Sequence, residues 1–314
     1  MKNHYIDIPA LFKRQDKKAR KWIAEWMQNE SPGGLDRHHS RLQSYVDGRD
    51  EVIHLDDYCD YLEHDHLMPF LHAALSQGAL RWDLLASAAR YGLASMLVEA
   101  TRAETEKNMI SCTLFGAALM AALQSVAGWR EEARVLFQAM YQGMDNQFLD
   151  LREGPVQEYT QFYFLLLLAA DYFGYPIDME KYHFAKAEDM PAYAAALAHW
   201  RSTDLDLVQK LVTDMADHHV RNAQSADPDE DAPFGIESEW LFPHEILAFL
   251  RFREWAGLEN PASFVHPLMN TPVAALPRTP LPWPEIPLLD QAIAKFKGEF
   301  PENNYFNQLP NHPA

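Results

Sequence analysis

Apolar residues recur at helical spacing in segment after segment, and this limits the fold of the chain more than anything else in it. Residues 83–98 place Leu84, Leu85, Ala88, Ala89, Met96 and Leu97 on one face, with Leu93 beside them. Residues 112–126 do the same with Leu114, Phe115, Ala118, Leu119, Ala122, Leu123 and Val126. Residues 130–141 bring together Ala133, Leu136, Phe137 and Met140. Residues 205–220 align Leu207, Val208, Leu211, Val212, Met215, Ala216 and Val220. An i, i+3, i+4, i+7 stripe is what an amphipathic helix buries, and alternating strand-like runs are nearly absent. The spacing predicts an all-α fold, an irregular bundle of antiparallel helices. Asp83 and Asp204 stand where side-chain oxygens would cap helix starts, and Gly128, Gly143 and Gly174 where helices would end. The stretch Gly128 to Phe137 has the pattern of the second half of a helical hairpin, without a regular repeat.

Two segments interrupt the helices. Residues 261–287 hold eight prolines, Pro261, Pro267, Pro272, Pro277, Pro280, Pro282, Pro284 and Pro287. Proline removes a backbone donor and clashes with the preceding turn, so an extended strap is expected here. Val273, Leu276, Leu281, Trp283 and Ile286 would dock it on the body. A final helix follows, with Leu288, Leu289, Ala292, Ile293 and Phe296 inward, and the polar tail beyond Pro301 is expected to fray. The second interruption is acidic. Between Arg221 and Arg251 there is no Lys or Arg, but seven acids: Asp227, Asp229, Glu230, Asp231, Glu237, Glu239 and Glu245. They run into Phe234, Trp240 and Phe242. A 314-residue chain accommodates one large domain or two. The pattern divides into an N-terminal helical region, 1–125, and a C-terminal one, 126–314, carrying the acidic loop and the strap, unless both share one core.

The net charge is −18 and uneven. Residues 1–41 hold nine Lys and Arg against five acids, and the remainder holds 18 against 40. Such a chain repels phosphate backbones, which argues against direct nucleic-acid binding, and attracts basic proteins. A second acidic patch spans 47–65, with Asp56 and Asp57 among its acids and Tyr45, Tyr58 and Tyr61 between them. Carboxylates with Tyr and Trp suit the anchoring of Arg and Lys side chains. The expected partner-binding residues are therefore Asp227, Asp229, Glu230, Asp231, Glu237, Glu239 and Trp240 in the loop, and Asp56, Asp57 and Tyr58 in the second patch. Two cysteines, Cys59 and Cys112, are too few for a disulfide framework. The longest apolar run, 162–170, falls short of the roughly 20 residues of a membrane span. No signal-peptide pattern opens the chain, so a cytoplasmic protein without membrane association is expected.

Catalytic signatures are weak. His64 and Asp65 form a dyad of the kind that holds a divalent metal in all-helical hydrolases, the alternative function for this chain. Yet His64 and His66, two apart, face different sides of a helix. His244-Glu245 begins a zincin-like helix, but Ala248 stands in place of the second His. Gly92-Leu93-Ala94-Ser95-Met96 lacks the closing Gly of a nucleophile elbow. No phosphate loop or dinucleotide fingerprint is present, and neither a metal nor another cofactor is expected.

The stretch Glu239-Trp240-Leu241-Phe242-Pro243-His244-Glu245-Ile246-Leu247-Ala248-Phe249, then Trp255-Ala256-Gly257-Leu258-Glu259-Asn260-Pro261 and His266-Pro267, resembles the C-terminal helical domain of PoNi-type immunity proteins. Arg49-Asp50 followed by Tyr58 and Tyr61 is similar to the N-terminal domain of that family. The chain departs from the family after His-Pro, where Leu268-Met269-Asn270-Thr271-Pro272 replaces a tyrosine-rich segment. The wider class of type VI secretion immunity proteins, including TsiT-like inhibitors of nuclease effectors, is an equal placement. The resemblance implies a non-catalytic protein that occludes a co-encoded nuclease toxin, the acidic inhibitor filling a basic groove in the cytoplasm.

Overall fold

A computed structural model describes residues 7–29, 33–106, 114–146, 149, 160–178, 186–223, 234–235, 238–302 and 304–312. Among these residues the protein is all-α. The helices are α1 (Ile8–Asn29), α2 (Gly34–Val46), α3 (Leu55–Gln77), α4 (Trp82–Glu106), α5 (Leu114–Ala127) and α6 (Arg130–Asn146). They continue with α7 (Thr160–Phe173), α8 (Pro191–His199), α9 (Leu205–Asn222), α10 (His244–Trp255) and α11 (Pro287–Glu299). No helix among the described residues is long and apolar enough to cross a membrane.

Helices joined by short turns pack as hairpins, α3 on α4 and α5 on α6. Helices α4, α5 and α10 form the centre: α5 touches α4, α6, α7 and α10, while α1 bridges α3 and α9, and α11 lies across α2 and α4. This explains a difference from the single-stripe expectation. Helix α4 buries Leu85, Ala88, Ala89, Leu93, Met96 and Leu97 but also Ala86, Tyr91, Ala94 and Val98 on its other sides, because α3, α5, α6 and α11 surround it. Helix α9, on the outside, keeps one stripe, with Val208, Leu211, Val212, Met215, Ala216 and Val220 buried and Leu207 half-buried. The position between 125 and 126 falls inside α5, and one connected cluster of buried residues runs from Ile8 to Phe306.

The caps and stops divide. Asp204 caps α9, accepting from the amides of Asp206 at 3.0 Å and Leu207 at 3.2 Å. Asp83 is not a cap: α4 starts one residue earlier, and Asp83 pairs with Arg81 at 2.6 Å. Gly143 lies within α6 and ends nothing. Gly128 does end α5, at φ +82°, and a Cβ there would stand 2.9 Å from the Pro280 Cα.

That close approach seats the strap. The Leu281 amide donates to the Ala127 carbonyl at 2.8 Å, and the Trp129 indole donates to the Leu281 carbonyl at 2.8 Å. Arg251 donates to Pro277 O at 2.7 Å, and Arg90 donates to Pro284 O. Val273 and Leu281 are buried, Leu276 and Trp283 partly so. Trp283 rests on Trp129, 4.7 Å between ring centres, and under His312, stacked at 3.9 Å. The strap is not extended throughout, because 3-10 turns form at Leu268–Asn270 and Pro272–Ala274. Nor does the tail fray: a 3-10 turn at Tyr305–Gln308 buries Tyr305 and Phe306, and the Tyr305 hydroxyl bonds to Gln142 at 2.7 Å.

Candidate functional site

The acidic loop turns inward where it enters α10. Asp227, Asp229, Glu230, Asp231 and Glu237 lie outside the described residues. Glu239 and Trp240, expected on a partner-binding surface, are 6% and 2% exposed and belong to the core. The cause is the aromatic set beside them. Phe234 and Phe242 are also buried, and the apolar area that three aromatic side chains remove from water draws the flanking carboxyl in with it. The Trp240 indole donates to the Phe234 carbonyl at 2.9 Å, and the Lys18 ammonium of α1 sits 4.6 Å above its ring centre.

Around this turn lies a polar cluster that sequence reasoning missed. His219 of α9 is fully buried, with Nδ1 at 2.9 Å from Glu245 Oε1 and Nε2 at 3.1 Å from the Glu239 carbonyl. Both ring nitrogens lie within hydrogen-bond distance of an oxygen, so the ring ties Glu245 of α10 to the backbone just ahead of that helix. Burial works against the Glu245 charge, but the charge and hydrogen bond of His219 hold its carboxyl below the ordinary range. Burial, with the nearby Glu245 charge, pushes Glu239 up to about 8, so it is protonated. Burial pushes His218 and His244 down to about 4, so both are neutral. Tyr193 of α8 completes the cluster, its hydroxyl 3.4 Å from Glu245. His219 and Glu245 have no exposed surface. They fasten α8, α9 and α10 together. Glu63 of α3 is buried too, its Oε1 unpartnered, and its carboxyl is raised by burial, then by Asp60 and Glu239.

The second patch divides between core and surface. Asp56 is 8% exposed and accepts from Arg102 of α4 at 3.3 Å; Tyr58 is 7% exposed and donates its hydroxyl to Asp50. These two residues are corrections to the expected surface: they fasten the start of α3 to α4 and to the loop before it. Asp57 faces solvent, reaching His54 at 4.0 Å. Beside it stand exposed Asp60, and Ile53 and Tyr61, each 45% exposed. Asp57, Asp60 and Tyr61 are i, i+3 and i+4 along α3, so one face presents two carboxylates between an aliphatic and an aromatic side chain. Of four exposed large apolar side chains among the described residues, Tyr61 lies on this face and Ile53 in the 3-10 turn (Val52–His54) that leads into it.

The His64–Asp65 dyad is divided between two neighbours. Asp65 Oδ2 is 2.7 Å from His38 Nδ1 of α2, and His64 packs edge-on to Trp26 of α1, ring centres 5.1 Å apart. His66 stacks on Tyr91 at 5.5 Å. Among the described residues no group of three or more His, Cys, Asp or Glu side chains is placed to hold a metal ion. Comparison with models of known protein families, with curated proteins and with solved structures gives no match to this chain.

Proposed function

We propose that the protein is a stoichiometric inhibitor of a basic protein, an immunity protein that occludes an antibacterial toxin, and a nuclease above all, by docking it on the exposed face of α3. The observation that carries this reading is the placement of Ile53 and Tyr61, open to water, around Asp57 and Asp60. Apolar and aromatic anchors among carboxylates are the composition of a surface that seats Arg and Lys side chains. The −18 charge would speed the encounter with a cationic partner. The resemblance of 239–267 to PoNi-type immunity proteins supports the same partner class, and so do the acids at 227–231. The residues of 239–245 would act there through the fold, since they are buried.

The test is titration of the purified protein against the toxin-sized product of the neighbouring gene. Inhibition should saturate at about one inhibitor per toxin and association should slow with added salt. Asp57→Asn with Asp60→Asn should slow association about tenfold, with dissociation little changed. Ile53→Ala with Tyr61→Ala should instead raise the dissociation rate. Protection at far below equimolar inhibitor, or kinetics unchanged in both double variants, would refute the reading.

A further inference from the structure

Where α1, α2 and α3 meet, the surface is not acidic. A cleft of about 400 Å3 opens there, within the range of roughly 300–1,000 Å3 usual for small-molecule sites. Arg37 and Arg41, one turn apart on α2, line one side of it. Both are exposed, and among the described residues neither guanidinium has a hydrogen bond or ion pair. Asp65, also on the cleft wall, is 9% exposed and bonded to His38 rather than to either guanidinium. Asp50, whose field reaches Arg41, accepts from Tyr58 and from the Glu51 amide. Two guanidinium groups with no partner among the described residues thus face one cleft, against the single carboxylate of Asp65, in a chain of net −18.

The rest of the lining is aromatic. Trp26 of α1 and His64 of α3 line the cleft and meet edge to face, ring centres 5.1 Å apart, so this contact covers one face of one ring only. Tyr61 lies over His38, ring centres 4.8 Å apart at an interplanar angle of 20°, so its position is fixed by a stack that continues into the buried His38–Asp65 pair. A planar ring gains from stacking on such side chains. An oxyanion gains from paired guanidinium donors, which match its geometry better than ammonium groups do. Neither chemistry alone accounts for both walls.

We propose that this cleft binds a nucleoside monophosphate, with the phosphate on Arg37 and Arg41 and the base stacked against the Trp26, Tyr61 and His64 side. The cleft shares Tyr61 with the toxin-docking face of α3 but also needs Arg37, Arg41 and Trp26, which the docking reading does not use, so those three positions are the ones varied.

The test is calorimetric titration of the whole protein with AMP, adenosine and inorganic phosphate. AMP should bind with one site per chain, and both fragments should bind about tenfold more weakly or not at all. Arg37→Ala with Arg41→Ala should weaken AMP about tenfold or more, at an unchanged melting temperature, since both side chains are exposed. Trp26→Leu should weaken AMP while leaving phosphate binding as it was. No AMP binding up to about 10 mM, well beyond millimolar affinity, would overturn the proposal. So would AMP binding unchanged in the double Arg variant, or inorganic phosphate binding as tightly as AMP. Toxin inhibition measured on the same variants keeps the two readings apart, because it should be retained when AMP binding is lost.

Discussion

Glu239→Gln should make the protein more stable, and more so as the pH rises. The folded state raises this carboxyl from an ordinary 4.5 to about 8, because it is buried and close to the Glu245 charge. An acid whose folded pKa is raised holds a proton that the unfolded chain releases. Stability is then fully present below about pH 4.5 and declines as pH rises towards about 8. At pH 7 the decline corresponds to about 3 kcal/mol, at about 1.4 kcal/mol for each tenfold change in proton affinity. Glutamine has nearly the shape of the protonated acid and nothing to titrate. The variant and wild type should therefore be alike near pH 4.5, and the variant should lead by about 3 kcal/mol at pH 7. Urea melts of both proteins at half-unit pH steps measure this difference, and groups that do not interact with Glu239 cancel between them. A difference that stays flat with pH, or a variant less stable at pH 7, would refute the placement of a protonated Glu239 in the core.

Neighbouring positions should respond in other directions. Glu245→Gln should destabilise by about 1–3 kcal/mol in the same assay, because it weakens the buried bond to His219 that joins α9 to α10; an unchanged midpoint would show that this pair does not hold the two helices together. Gly128→Ala should cost about 2 kcal/mol, from the left-handed backbone and the 2.9 Å approach to Pro280, and should speed proteolysis within 275–287. Trp283→Ala should cost about 2 kcal/mol, less than the ~3–5 of a fully buried Trp, and an unaltered thermal melt would mean the strap is held without it. Gly92→Ala should also destabilise, since its Cβ would crowd Met120 Sδ and lie 3.3 Å from Glu63 Cγ; a gain in melting temperature would show that helix propensity outweighs the crowding.

Much of the fold was legible because local spacing carries it. The α9 stripe from Val208 to Val220 is written in consecutive turns, and the prolines of 261–287 exclude helix wherever the chain goes. The candidate site was less legible. Acid-rich composition suggested that Glu239 and Trp240 face water, but their surroundings come from His219, 20 residues before Glu239, and from Phe234. A signal was present: His219 falls three residues after Ala216 and four after Met215, on the apolar stripe of α9, so it had to be buried and needed a hydrogen-bond partner. Glu63 likewise lies four residues from both Cys59 and Leu67 on α3. Asp56, Asp57, Asp60 and Tyr58 could not be sorted by composition, because only the positions of α4 and of the loop before α3 decide which of them meet water. The tail was misjudged because Tyr305 and Phe306, two aromatic residues amid polar ones, were outweighed by their neighbours.

The clasp between α2 and α11 has a consequence for when the protein becomes competent. Tyr45, fully buried at the end of α2, donates its hydroxyl to Glu299 at 2.8 Å across 254 residues of chain, and the Lys295 ammonium lies 4.2 Å from its ring centre. The Trp129 to Leu281 bond spans a further 152. Contacts this distant close late in folding, after the entropy of long loops has been spent. A nascent chain that has made α2 and α3 already carries every residue of the docking face and of the cleft beside it, yet lacks the helix that sets α2 in place. Synthesis of the last helix would then act as a timer: if the protein is the inhibitor proposed above, a chain stopped short of residue 287 should fail to inhibit although no residue of either surface is missing.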